Sequence, residues 1–325
     1  MTRVNYVSAM RLALKQALTD DPNTFLMGED IGEYGGVFRI TAGLHADFGA
    51  KRVRDTPISE AAFIGAALGA SMSGLRPVVE VMYVDFTLVG MDQIINETAK
   101  ARFMTGGQFR TPLTILTQGG GGKGNAAQHS QSLEALFAQV PGLTVALPGT
   151  VADAYHLLLA GIKSDDPCIV IAHKVLFGEI AELDLTAAGD PFGRAVVRRE
   201  GKHITMVAWS AMVSQALAAA EQLASDGIKA EVVDLRTLRP FDYETVATSV
   251  RKTGRCLVIQ EAPLMGGFAG EVAASIGEFA FDHLDAPVAR IGGAEMPMPY
   301  AVNLEAMAIP NAATIVAAAS HLVAA

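Results

Sequence analysis

Residues 54–86 read RDTPISEAAFIGAALGASMSGLRPVVEVMYVDF, and this stretch decides the architecture. From Ser59 to Ser73 the chain is almost wholly apolar and rich in Ala and Gly. The run is shorter than the roughly 20 residues a bilayer requires, so it reads as a helix buried on nearly every face. PVVEVMY follows at Pro77–Tyr83, a β-rich run suited to a strand covered on both sides. A buried helix leading into an apolar strand is one unit of an α/β fold.

The same alternation extends in both directions. Strands are predicted at Thr24–Asp30, Pro112–Gln118, Leu143–Pro148 and Cys168–His173, and further helices over Val89–Phe103, Ser130–Val140 and Val151–Lys163. From Lys174 to Glu200 the chain is polar and irregular, with Gly, Pro and Asp turn signals. Strand signals resume at His203–Trp209, Ala230–Leu235, Cys256–Glu261 and Pro287–Gly293. The expected fold class is α/β in two domains, residues 1–175 and 201–325, joined by a linker over 176–200. Each domain is expected to hold a mostly parallel sheet with helices on both faces.

Composition agrees. Of 325 residues, 50% are hydrophobic and 18% charged, a balance that excludes disorder and suits two domains. The net charge of -9 argues against a general nucleic-acid surface, which needs dense Lys and Arg. Cys168 and Cys256 lie far apart and form neither a metal-ligand cluster nor a disulfide framework. The N-terminal MTRVNYVSAMRLALKQALTDD lacks the apolar run of a signal peptide. A cytoplasmic protein with no membrane segment is expected.

Several residues are candidates for chemistry. In QGGGGKGNAAQHSQS, Gly119, Gly121 and Gly124 have the spacing of a dinucleotide-binding loop. That fingerprint also needs an acid at the end of the next strand, where Leu147 and Pro148 stand instead. Lys123 makes no P-loop either, because Gly124 replaces the required Ser or Thr. A nicotinamide-dependent dehydrogenase is therefore disfavoured. His129 follows a strand's carboxyl end, where open α/β sheets bind ligands, and can move protons near neutral pH; its alternative role is a helix cap. Glu60 opens the apolar helix: the helix dipole alone explains it, yet an apolar border also suits proton exchange. Glu29 and Asp30 end a strand, either facing solvent or at a site. Phe86 reads as core or as a ring beneath a planar ligand.

Taken together, LMGEDIGEYGG, the 54–86 stretch, MDQIINETAKARFMTGG and AAQHSQSLEALFAQVPGLTVALP closely resemble one family. It is the beta chain of the thiamine-diphosphate-dependent decarboxylating component of 2-oxo acid dehydrogenase complexes, a group that includes pyruvate, branched-chain and acetoin dehydrogenases. AEVVDLRTLRPFD and VIQEAPLMGGFAGEVAA resemble the carboxyl-terminal domain shared with transketolases, so the likeness covers nearly the whole chain. It implies a transketolase-like pyrimidine-binding domain followed by a transketolase C-terminal domain.

The resemblance also implies roles. Glu60 matches the glutamate that hydrogen-bonds the cofactor's aminopyrimidine and exchanges a proton with it. His129 matches a histidine that handles protons during acyl transfer to a lipoyl group. Phe86 matches the aromatic residue packed on the aminopyrimidine, and Glu29 and Ile58 match neighbours of the cofactor. Leu113, Gly161, Ile162, Ser164 and Asp166 match a monovalent-cation (K+) site of some relatives, although Ser164 and Asp166 stand at positions that vary. The chain contains no GDG motif, which in related enzymes binds the diphosphate and its metal. In the family a separate alpha chain holds the diphosphate and Mg2+. The implied assembly is an α2β2 heterotetramer, with a second beta chain and a lipoyl-bearing acyltransferase as partners. The substrate is then a small 2-oxo acid of the pyruvate type, or acetoin in the alternative reading. A non-catalytic assembly subunit would not need both Glu60 and His129.

Overall fold

Apolar runs rich in Val, Ile and Leu can bury both faces only inside a sheet, and they do so here. In the computed structural model, which describes residues 1–324, the chain forms two compact units. One comprises residues 1–119 with 136–192; the other comprises residues 120–135 with those from Gly193 onward.

The first unit carries strands Thr2–Asn5 (β1), Thr24–Gly28 (β2), Val53–Asp55 (β3), Arg76–Val81 (β4), Thr114–Gly119 (β5), Thr144–Ala146 (β6), Cys168–His173 (β7) and Ile180–Leu183 (β8). Its main sheet runs β6-β7-β5-β4-β2-β3 with every neighbouring pair parallel. Helix Glu60–Met72 packs on β4, and helices Tyr6–Asp20 and Val151–Lys163 pack on each other. Side-chain caps define the last two starts: Asn5 accepts from the Ser8 N–H at 2.8 Å, and Thr150 accepts from the Asp153 N–H at 3.1 Å.

The second unit carries Val196–Arg199 (β9), Ile204–Ala208 (β10), Ala230–Asp234 (β11), Thr237–Arg239 (β12), Cys256–Pro263 (β13) and Ala289–Gly293 (β14). Its sheet runs β14-β13-β10-β11-β9, parallel except for the antiparallel edge pair β11–β9. By composition, residues 302–324 could span a bilayer. They are instead two helices broken around Pro310, with Glu305 buried in the first and the second packed on helix Met212–Ser225.

Three expectations change. Residues 174–200 are not irregular throughout: β8 pairs with the N-terminal β1, and β9 edges the second sheet. The predicted helix Ser130–Val140 shrinks to Glu134–Ala138. Helix Glu60–Met72 is buried at Phe63, Ile64, Ala67 and Leu68 but exposes Ala62, Ala66 and Gly69, a stripe of small residues along one face.

Glu80, in the middle of β4, is the least expected core residue. It registers against Gly28 on β2 and Leu116 on β5, and one of its carboxyl oxygens has no partner. Burial pushes its carboxyl up to about 7. The folded chain therefore holds a proton that the unfolded chain releases above the ordinary glutamate value. Stability from this source is intact at low pH and lost as pH rises through about 7. In urea titrations, Glu80→Gln should gain about 3 kcal/mol relative to the native chain between about pH 4 and about pH 8. A pH-independent difference would show that Glu80 is ionised in the fold.

Candidate active site

The carboxyl ends of β2 and β4 lie side by side, because Gly28 registers against Glu80. Just past β2, the backbone turns sharply. Asp30 adopts a left-handed φ of 55°, its carbonyl accepts from the Gly36 N–H at 2.8 Å, and the Gly32 N–H donates to Asp55 at 2.6 Å. These bonds fix Glu29 at the sheet edge. One Glu29 oxygen is buried without a hydrogen-bond partner. Burial first, then the negative charges of Glu60 and Asp30, hold its carboxyl above the usual range.

Glu60 is the first residue of helix Glu60–Met72 and is 7% exposed. Ser59, in the cap position, makes no side-chain cap bond, so the helix start keeps unsatisfied N–H groups that favour a nearby anion. Close approach on this side depends on Gly90. A Cβ there would lie 2.5 Å from Ile64 Cδ1 and 3.4 Å from the Glu60 carbonyl carbon and oxygen. The sequence reading missed Gly90, whose only signal is a glycine within a helical stretch. That stretch, predicted over Val89–Phe103, contains a π-helical segment at Gln93–Thr98 before a short α-helix, Ala99–Met104.

Phe86 follows β4 in a short 3-10 turn, Val84–Leu88, and meets Tyr83 edge to face at 5.5 Å. It is half-buried, so it is not a simple core residue. Ile58 is 86% exposed, and Leu88 and Val89 are exposed as well. Glu29, Ile58, Glu60 and Phe86 all belong to the first unit, and its geometry couples Glu29 with Glu60.

His129 lies in the segment 120–135, which packs with the second unit. The reason is visible in its hydrogen bonds. The Gly121 N–H donates to Glu261 at 2.8 Å, and the Gly124 N–H donates to Glu305 at 2.7 Å. These are the amides that a nucleotide phosphate would need, so the glycine run is committed to the chain's own carboxylates. His129 also lies well ahead of helix Glu134–Ala138 and does not cap it.

Comparison with known proteins identifies the family. Residues 2–179 match the transketolase pyrimidine binding domain, and residues 193–315 match the transketolase C-terminal domain. The chain is 45% identical to pyruvate dehydrogenase E1 component subunit beta-2, mitochondrial, of rice (Oryza sativa subsp. japonica), over 96% of this chain and 84% of that protein. It is 43% identical to pyruvate dehydrogenase E1 component subunit beta of Rickettsia bellii, over 93% of each. It is 41% identical to 2-oxoisovalerate dehydrogenase subunit beta of Bacillus subtilis, over 99% of each. The chain belongs to the 2-oxo acid dehydrogenase E1 beta-subunit family. A solved structure titled split gene transketolase, inactive beta4 tetramer, superposes with a TM-score of 0.80 over 99% of this chain and 98% of that one; at 23% identity it speaks for the fold alone.

For this E1 beta chain, two groups implied by the family can be weighed against the residues present. Thiamine diphosphate fits: Glu60 stands at a helix start, Glu29 has an unpartnered buried oxygen, and Phe86 offers a half-buried ring. The cation loop gives no such sign. The carbonyls of Leu113 and Gly161 accept from the N–H groups of Cys168 and Ser164, and those of Ile162 and Ser164 accept from Arg76. Asp166 pairs with Arg102. These four carbonyls and one Asp166 oxygen are thus engaged by protein donors, and no step is derived through such an ion.

Gly90→Val should force Ile64 and the first turn of the Glu60 helix apart. Urea denaturation should show a loss of about 1–3 kcal/mol. An unchanged midpoint would mean that the 84–98 segment does not need this close approach.

Proposed function

We propose that this chain supplies the aminopyrimidine side of a thiamine diphosphate site in a 2-oxo acid dehydrogenase, with pyruvate as the substrate. The observation that carries this reading is the buried Glu29 oxygen without a hydrogen-bond partner together with Glu60 at an apolar helix start. The names of the rice and Rickettsia relatives support pyruvate. When bound, thiamine diphosphate supplies the electron sink for breaking the bond next to a carbonyl.

With thiamine diphosphate bound, Glu60 would hydrogen-bond the aminopyrimidine and supply the carboxyl that exchanges a proton with it. Burial first, and then the nearby charge of Glu60, raise the Glu29 carboxyl, so Glu29 takes up a proton more readily than an ordinary carboxylate. With the cofactor bound, Phe86 would contact the aminopyrimidine and Ile58 would border it. His129 handles the proton when the acyl unit passes to a lipoyl group on an acyltransferase partner. An alpha chain holds the diphosphate and Mg2+, since this chain has no GDG motif. Its docking, and that of a second beta chain, would cover exposed apolar side chains such as Leu88, Val89, Phe103 and Met104 and the Ala62, Ala66 and Gly69 stripe.

Co-expression with an alpha chain should give a co-purifying complex whose thiamine-diphosphate-dependent turnover is greatest with pyruvate, ahead of branched-chain 2-oxo acids and acetoin. Greater turnover of acetoin would overturn the substrate. Glu60→Gln should leave folding and alpha-chain binding intact and slow turnover by about 100-fold or more; near-normal turnover would remove the assignment. His129→Ala should abolish acyl transfer to lipoamide selectively. Equal loss with an artificial electron acceptor would contradict its role.

A further inference from the structure

The glycine run 119–124 was not absorbed by any nucleotide site, and it leads directly to His129. Such a segment is expected to be mobile. Gly120, Gly122 and Gly124 all have positive φ, and Ala126 takes a left-handed φ of 62° without being glycine. What holds it is a set of buried carboxylates in the second unit.

Glu261, near the end of β13, grips both ends of the loop. One of its oxygens accepts from the Gly121 N–H at 2.8 Å on the way out and from the Ser132 hydroxyl at 2.9 Å on the way back. The Gly120 N–H closes the neck on the Gln131 carbonyl at 2.9 Å. Glu305, 0% exposed on the helix Val302–Ala308, takes the crest: one oxygen accepts from the Gly124 N–H at 2.7 Å, and the other has no partner. The loop lies so close here that a Cβ on Gly121 would come 2.7 Å from Ile309 Cδ1 and 3.5 Å from that free oxygen. Beyond the neck, the Trp209 indole N–H donates to Glu134 at 3.1 Å and pins the exit.

We propose that Glu261 and Glu305 are positioning residues for His129, gripping the segment on either side of it so that the imidazole is presented in one place. Hydrogen bonds from backbone amides to buried carboxylates are charge-assisted, so a few of them can fix a loop whose own backbone resists order. Two anchors, at Gly124 and Ser132, leave only a short span between them, and His129 lies within it. The proposal rests on the reading of His129 as the acyl-transfer residue. Neither glutamate touches the reacting groups; each acts through the loop.

The test uses the enzyme assembled from this chain and its alpha partner, with His129→Ala run in parallel. Glu305→Ala should reduce acyl transfer to free lipoamide by between about 10-fold and about 100-fold. Reduction of an artificial electron acceptor should change by less than about twofold, since the cofactor chemistry precedes the transfer. Hydrogen exchange over residues 120–132 should accelerate. Glu305→Gln, whose amide oxygen still accepts from Gly124, should restore both the transfer rate and the slow exchange. If Glu305→Ala does not fold, Ser132→Ala releases one arm of the Glu261 grip at a half-buried position, and the same split between acceptors should appear, severalfold in size. A folded variant in which both rates fall together, or in which exchange accelerates while both rates stay native, overturns the positioning role. His129→Ala without the split removes the underlying reading and the proposal with it. His129→Ala with the split and Glu305→Ala without it removes the proposal alone.

Discussion

Two carboxyls at one corner of the first unit, Glu29 and Glu60, set the terms for the rest of that site. Burial and mutual repulsion keep Glu29 above the ordinary carboxylate range, while the open helix start beneath Glu60 favours negative charge. This arrangement is costly unless something occupies it. Aligning β2 and β4, turning the chain left-handed at Asp30 and admitting Gly90 against the helix all hold that corner in place. The apolar residues Ile58, Leu88 and Val89, near it in sequence, are exposed, as a surface covered by a partner would be.

The second unit contributes differently. Glu261 and Glu305 accept from backbone amides of the glycine run and so order a loop. Glu261 and Glu305 thus explain the glycine run without any bound nucleotide: positive φ allows the turns, and the carboxylates select among them. The two units solve opposite problems with the same side chain. One leaves a buried oxygen of Glu29 without a hydrogen-bond partner, and the other turns carboxylate oxygens of Glu261 and Glu305 toward loop amides.

Much of this was readable before the structure because it is local. Continuous Val, Ile and Leu runs marked β4, β5, β7, β10 and β13 within a residue or two, and Ser59-Glu60 before an apolar run marked the helix start. The failures are non-local. Glu261 and Glu305 lie 140 and 181 positions from the glycines they hold, so neither the truncated helix after His129 nor the loop's membership of the second unit had a sequence signal. The strand Ile180–Leu183 depends on pairing with Thr2–Asn5. Glu60 was legible as a residue, but its coupling to Glu29 required the fold. The small-residue stripe on its helix was read as core because composition cannot tell a buried face from one that awaits a partner.

The central claim is that burial and the charge of Glu60 together raise the Glu29 carboxyl. It is tested most directly by following the carboxyl carbons of selectively labelled glutamates through a pH titration by NMR, in the native chain and in Glu60→Gln. Glu29 should titrate above the usual carboxylate range in the native chain and move back toward it when the charge at residue 60 is removed, with the remaining elevation due to burial. A Glu29 titration that is ordinary from the outset, or unmoved by the substitution, would contradict the account.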